Sequence, residues 1–514
     1  MKIRLGRRST PGGALVLAAA LLLSMFAGAG QAQADATITV AITDDIRTLD
    51  PANITFAPEY QVAINLYNGL VRYSRDKYEI IPDLAQKWTF SQDGKTLTFN
   101  LRKGVRWHRG FGEVSADDVV FTFKRHMDPA TKSAYRGDFA DVESVEAVDR
   151  YTVKIVFKQP SPAWLRTTAA YRGGLILNRK AVTLLGADYA LNPVGTGPFK
   201  LEQYVRGSRI VLGANDSYYA GKPKLRQVVF VPIAQEPVAQ LALESGQIDI
   251  LYARTAESPK RFQNRPGFTV QTASQFGLRS VFLNTRRKPF DSKQVRAAVS
   301  HAINKKSIEE VLGGTGLAAD NPLPPGFLGY TESITRYPYD PARAKQLLAE
   351  AGYPNGFETS LLYANIAGYR EVVPVIQANL AEVGIRVRLE GRDGATARSI
   401  MNQGNYDMVF QGLGRPPDPD LQLGHALHTK NFPPIGFNLS YYAGVDDLLD
   451  RARIELDERR RAQLYSQVQQ KATADAATIP IYYTNVVLIM RDYVKGHLIA
   501  RNNDFWMYDT YIQK

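Results

Sequence analysis

The chain has 514 residues, more than one simple hydrophobic core accommodates, and its 45% hydrophobic content is ordinary for a water-soluble globular protein. It contains no cysteine, which excludes structural disulfides, thiol catalysis, cysteine-based zinc sites and anchoring through a lipidated N-terminal cysteine. The formal net charge is +13, but no basic run is longer than Arg459-Arg460-Arg461, which reads as the solvated face of a polar helix, so no nucleic-acid partner is expected.

The chain opens like an export leader. Lys2, Arg4, Arg7 and Arg8 precede the apolar run Ala14–Phe26, which is too short to span a bilayer comfortably. Ala32-Gln33-Ala34 predicts cleavage before Asp35, making residues 1–34 a signal peptide. Its four basic residues lower the charge from +13 to +9 on removal. Arg7-Arg8 is followed by Ser-Thr-Pro instead of apolar residues, which favours general secretion over the twin-arginine route. No other stretch reads as a membrane span, so a freely soluble exported protein is expected.

Ile38–Val40 reads as a strand running into Thr48-Leu-Asp-Pro51, and Ala63–Leu70 as a helix ending near Gly69. Next comes PDLAQKWTFSQDGKTLTFNLRKGVRWHRGFGEVSADDVVFTFKR, residues 82–125. Trp88 and Phe90, then Leu97, Phe99 and Leu101, alternate with polar residues around Asp93-Gly94, which predicts a β-hairpin. Ser115-Ala-Asp-Asp118 predicts a capped helix start, with Val119, Val120 and Phe123 at helical spacing. Physics alone gives hairpin, loop and helix here, and no chemistry.

Asn192–Leu201 (NPVGTGPFKL) permits a tight backbone at Gly195 and Gly197, and Pro198 blocks a helix. A nucleotide-binding reading of these glycines, or of Gly314-Thr-Gly316, fails for want of G-x-G-x-x-G. Beyond residue 290 helices and strands alternate. Ser292–Leu312 is helical in spacing, and Asp340-Pro341 caps a helix closed by Gly352. Glu371–Val383 is a helix, while Ile385–Leu389 and Tyr406–Gln411 are strands. Val445–Ala474 reads as one amphipathic helix before the strand Ile479–Tyr483. This pattern predicts an α/β lobe.

The 82–125 block, NPVGTGPFKL, "LNTRRKPFDSKQVRAAVSHAINK", "YDPARAKQLLAEAGYPNG" and "GNYDMVFQGLG" together resemble the family 5 solute-binding proteins of ABC importers, the peptide, opine and nickel group. The resemblance spans about residues 35–514 and implies a two-lobed α/β periplasmic binding protein (class II, Venus-flytrap type) with an additional inserted domain. It implies a discontinuous domain I at 35–78, 192–285 and 486–514, an inserted domain II at 79–191, and a domain III at 286–485. The lobes would close about Leu283–Asn284 and Tyr482–Asn485. A monomeric, non-enzymatic periplasmic receptor is implied, without cofactor. It would hand a small-molecule solute, a peptide or opine-like compound, to an inner-membrane ABC permease.

Independent signs of catalysis are weak. G-x-S-x-G and H-E-x-x-H are absent from the sequence. His425 and His428 would share a face if both were helical, which gives a metal pair to weigh against polar loop residues. His108 belongs to the structural block, and capping explains Asp117-Asp118. The competing classes are a periplasmic hydrolase and a holdase-like interaction protein.

Family position also supplies candidate ligand contacts. Peptide-binding members carry G-W-x-x-D after a domain III strand, the aspartate pairing with the ligand's α-amino group. Here the segment is Gln411-Gly412-Leu413-Gly414-Arg415, which places Gly412 at the tryptophan and Arg415 at the aspartate. Two readings follow. Arg415 faces the cleft and favours an anionic ligand, such as an opine, sugar-acid conjugate or metal chelate. Alternatively Arg415 faces solvent and Asp418 or Asp420 binds an amine. Pro58, Glu59 and Tyr60, with Arg279 near the hinge strand, complete the candidate set. The 27 tyrosines and four tryptophans suit a pocket wall for peptides or sugar-like ligands alike.

Overall fold

A computed structural model describes residues 36–75, 78–169, 173–414, 418–501 and 505–513. The export leader and its cleavage site lie outside the described residues.

The backbone of the molecule is one large mixed sheet. Its strands run in the order Arg386–Arg392, Glu358–Ala364, Met408–Gly414, Phe268–Leu283, Ile479–Arg491, Ile250–Ala253, Thr37–Ile42, Gln227–Pro232, Arg209–Ala214 and Phe199–Val205. Gly316–Ala318 adds a short strand against Ile479–Arg491. The first three strands are parallel and belong to one lobe. The strands from Ile250–Ala253 onward belong to the other, in which Thr37–Ile42 runs parallel to both its neighbours.

Two long strands join the lobes. Phe268–Leu283 and Ile479–Arg491 pair antiparallel, with register shifts between Ser274 and Leu278 and between Arg279 and Ser280. On one side of the break Phe268–Ser274 lies with the Ile250–Ala253 lobe, and on the other Leu278–Leu283 pairs with Met408–Gly414. An interrupted ladder is where a sheet bends. The break falls at Ser274–Leu278, ahead of Leu283–Asn284. Asn284 is tied into the second lobe, its Nδ2 donating to the Tyr406 carbonyl at 3.0 Å.

A separate antiparallel sheet forms wholly within residues 85–157, in the order Ala85–Phe90, Thr96–Leu101, Thr152–Phe157, Val142–Asp149. Its first two strands are the Asp93-Gly94 hairpin, with Gly94 at φ 66°. Inward-facing Leu97, Phe99, Val153 and Ile155 are fully buried. The helix Ala116–Met127 starts as expected: Asp118 accepts from the Ser115 amide at 3.1 Å. The second lobe has its own core, centred on Phe290, Val299, Ile376, Phe410 and Ile481.

Several elements depart from the sequence expectation. The helix expected over Ala63–Leu70 lies earlier, at Ala57–Ala63. Pro58 opens it, and the Asn65 and Leu66 carbonyls are taken by the Phe199 and Gly197 amides. Those backbone groups therefore dock the 192–201 segment and cannot propagate a helix. The 292–312 stretch is two helices, Lys293–Ala302 and Lys305–Leu312, because Asn304 caps the second. The 445–474 stretch is also two, Asp446–Ile454 and Glu458–Ala474, the latter capped by Asp457. In the basic run only Arg459 and Arg460 face solvent; Arg461 is buried.

Candidate ligand-binding cleft

Where the long strands cross between lobes, a cleft of about 410 Å³ opens. One lobe contributes Thr43, Gln61, Tyr252, Arg254 and Phe505, the other Thr315, Gly368 and Tyr369, and the long strands Gln275, Arg279, Tyr482, Thr484 and Asn485. Tyr252 and Phe505 stack with centroids 3.8 Å apart, giving a flat aromatic wall. Tyr482, on the long strand, also lines the cleft. Burial pushes its hydroxyl up to about 12, against the pull of the Arg279 charge and hydrogen bond. Thr484 donates to Gln275 at 2.7 Å.

Arg279 occupies the middle of this floor. Its register partners are Gly412 on one side and Tyr482 on the other, so the three residues form one row across the sheet. A Cβ at position 412 would stand 2.6 Å from Arg279 Nη1 and 2.7 Å from its Cζ. Glycine at 412 is what lets the guanidinium lie across the neighbouring strand. Its Nη1 donates to the Leu278 carbonyl at 3.3 Å, and its Cζ lies 5.8 Å from the Tyr369 ring centroid. Arg254, the other cation among the described lining residues, sits 3.5 Å from the carboxylate of Glu236.

The remaining sequence candidates separate. Arg415 lies outside the described residues. Leu413 is buried on the opposite face from Gly412, and Gly414 ends the strand exposed. Asp418 is fully buried and bound by Arg461, so it is not available to a ligand amine. Asp420 faces Arg453 at 3.9 Å and does not line the cleft. Glu59 is buried and accepts from the amides of Arg47, Thr55 and Phe56 and from Arg47 Nε, which makes it the anchor of its own helix start. Pro58 is buried beside it, and Tyr60 lines a different, smaller cavity with Arg72, Asp83 and Trp506. The helix presents Ala57 and Gln61 to the cleft instead, one turn apart.

The histidines carry no metal geometry. The helix His425–Leu427 ends before His428, whose backbone is extended, so the two rings do not share a helical face. His428 lies 3.2 Å from Asp450, and no group of three potential metal ligands occurs among the described residues. His108 is buried between the two glycines of NPVGTGPFKL: its Nδ1 accepts from the Gly195 amide at 3.3 Å and its Nε2 lies 3.0 Å from the Gly197 carbonyl.

Residues 79–433 match the family described as bacterial extracellular solute-binding proteins, family 5 Middle. The chain belongs to that family. The dipeptide-binding protein of Escherichia coli (strain K12) is 31% identical over 483 residues, covering 88% of this chain and 90% of that protein. Di/tripeptide-binding protein 2 of Pseudomonas aeruginosa (strain UCBPP-PA14) is 30% identical over 512 residues, covering 93% and 96%. Two solved structures share the fold across 93% of this family 5 chain, each with a TM-score of 0.81. MoaA of A. tumefaciens R10, in complex with mannopinic acid, is 29% identical and covered over 99% of its length. The periplasmic binding protein DppA of Helicobacter pylori, in complex with the peptide STSA, is 30% identical and covered over 98%. Family 5 proteins are solute-binding proteins, and the two-lobed architecture with a cleft at the strand crossover is the one expected of such a receptor. Among the described residues no helix is long and apolar enough to cross a membrane.

Proposed function

We propose that this chain is the exported, periplasmic receptor of an ABC importer, without catalytic activity. It captures a small peptide-like or opine-like solute between its lobes and passes it to an inner-membrane permease. The observation that supports this most is the composition of the cleft: both lobes and both connecting strands contribute side chains to one cavity. A solute lying there touches the two lobes together only when they are closed, so binding energy favours the closed state. The interrupted pairing at Ser274–Leu278 supplies the bend about which closure occurs. The aromatic wall of Tyr252 and Phe505 offers a flat apolar surface, and the carboxamides and guanidinium supply orientation.

The test is native mass spectrometry of protein purified without denaturation, followed by small-angle scattering of ligand-stripped protein with and without the compound recovered. A single stoichiometric compound, released unchanged and reducing the radius of gyration on re-addition, is the expected result. Turnover of the compound, or binding without compaction, would overturn the closing-receptor reading.

A further inference from the structure

The cleft described above also carries information about ligand charge, which rests on the receptor reading. Among its described lining residues are two guanidiniums, Arg254 and Arg279, and no aspartate or glutamate. Arg254 is already paired with Glu236 at 3.5 Å. Arg279 makes no ion pair among the described residues, and its contacts are a carbonyl, an aromatic face and the Tyr482 hydroxyl. The carboxylates that family position offered for a ligand amine are engaged elsewhere, Asp418 by Arg461 and Asp420 opposite Arg453. Glu371, whose charge reaches Tyr482, is exposed and accepts from the Gly368 amide at 2.5 Å.

Two further atoms complete the pattern. Gln61 Oε1 and Asn485 Oδ1 are buried, and neither has a hydrogen-bond partner among the described residues. The orientation of the Asn485 amide is set by its Nδ2, which donates to the Gly314 carbonyl at 2.9 Å and leaves Oδ1 to accept. The Gln61 side chain is more than nine-tenths buried. A buried carbonyl oxygen left unpaired is costly, so a bound solute is expected to donate to both.

The geometry points to a net-anionic solute whose carboxylate is held by Arg279, with hydroxyl or amide N–H groups facing Gln61 and Asn485 and no free ammonium in the cleft. A desolvated carboxylate needs a charged donor, which Arg279 supplies; a desolvated ammonium needs a carboxylate, which the described lining does not. An ammonium would also meet the unneutralised field of Arg279. Gly412 belongs to the same device, because any larger residue there displaces the guanidinium.

The experiment is calorimetric titration of ligand-stripped, full-length mature protein with four probes. These are N-acetyl-glutamate and N-acetyl-alanyl-phenylalanine (net anions without an amine), alanyl-phenylalanine (a zwitterion) and its C-terminal amide (a cation). At least one anion should bind at least about tenfold more tightly than the zwitterion, and the cation should not bind. Arg279→Gln should weaken the anion by about ten- to a hundredfold, and Gly412→Trp should do the same without touching the guanidinium chemically. The probe comparison uses the wild-type chain and so stands even if a variant fails to fold. Zwitterion or cation binding as tight as the anion's, or an unchanged anion affinity in a folded Arg279→Gln, overturns the charge inference and leaves the receptor reading intact. If none of the four binds, the compound retained through purification decides: a net anion supports the inference, a compound bearing a free ammonium overturns it. No retained compound at all would instead overturn the receptor reading.

Discussion

Arg461 grips the carboxylate of Asp418 with both terminal nitrogens, Nη1 to Oδ2 and Nη2 to Oδ1, each at 3.0 Å, and both side chains are buried. The pair pins the segment that follows Met408–Gly414 onto the helix Glu458–Ala474. Removing one partner leaves a buried charge uncompensated, at a cost of about 3–5 kcal/mol. Asp418→Asn and Arg461→Met should each lower the unfolding midpoint sharply in urea melts. The double variant Asp418→Leu/Arg461→Met should recover most of the loss, because no charge is then stranded. Equal or additive losses in the double variant would show that the pair acts through something other than desolvation.

His108 makes stability sensitive to acid. Burial pushes its pKa down to about 4, against the opposing hydrogen bond to the Gly197 carbonyl. In the unfolded chain it titrates near 6.5, so the unfolded state takes up the proton first as pH falls. Its contribution is therefore complete above about pH 6.5 and is lost between there and about pH 4, at about 1.4 kcal/mol per pH unit. Protonation would also place a hydrogen on Nδ1, where the Gly195 amide donates. His108→Gln should be less stable than wild type at pH 7.5, with the difference shrinking steadily toward pH 4.5. A pH-independent difference would mean that the ring titrates normally in the folded state.

Asp420 works in the opposite direction. Burial raises its pKa to about 6, the nearby Arg453 charge only partly offsetting this. A carboxyl whose folded pKa lies above its unfolded value contributes stability below the unfolded pKa and loses it as pH rises through the folded one. Asp420→Asn, which stays neutral, should therefore be more stable than wild type above about pH 6 and lose that advantage near pH 4. Thermal melts across that range, read as the difference from wild type, check the sign.

Local periodicity made most elements legible: the Asp93-Gly94 hairpin, the Ser115–Asp118 cap, the Asp340 cap and the two separate strands around Arg386 and Met408 follow from the alternation and capping residues beside them. Legibility stopped where a residue's partner comes from a distant segment. Gly412 reads as a permissive residue until register puts it beside Arg279, 133 positions away. Arg461 looks solvated inside Arg459-Arg460-Arg461 because its neighbours are, yet helical geometry turns one of three consecutive side chains inward, to Asp418. Ala63–Leu70 carries enough apolar residues for a helix, but its carbonyls serve Gly197 and Phe199. For the site, family position pointed to the start of one short helix. Pro58, Glu59 and Tyr60 hold the element, whereas the cleft receives Ala57 and Gln61. The i, i+4 spacing of that pair was the available signal, and it needed the helix start to be fixed at Pro58.

That division of labour on one short helix is itself testable. Glu59 is buried and satisfies the Arg47, Thr55 and Phe56 amides, so Glu59→Ala leaves several donors unpaired and should cost more than about 2 kcal/mol of stability. It makes no cleft contact, so the folded fraction should bind the recovered solute with wild-type affinity. Gln61 gives the reverse. Its Oε1 has no partner among the described residues, so Gln61→Leu removes an unsatisfied acceptor and should leave stability unchanged or slightly raised. It should weaken solute binding by about three- to tenfold, the worth of one neutral hydrogen bond. Urea melts and calorimetry on the two variants separate the effects. A Gln61→Leu protein that binds normally, or a Glu59→Ala protein that folds normally and binds poorly, would show that the helix presents its other face to the ligand.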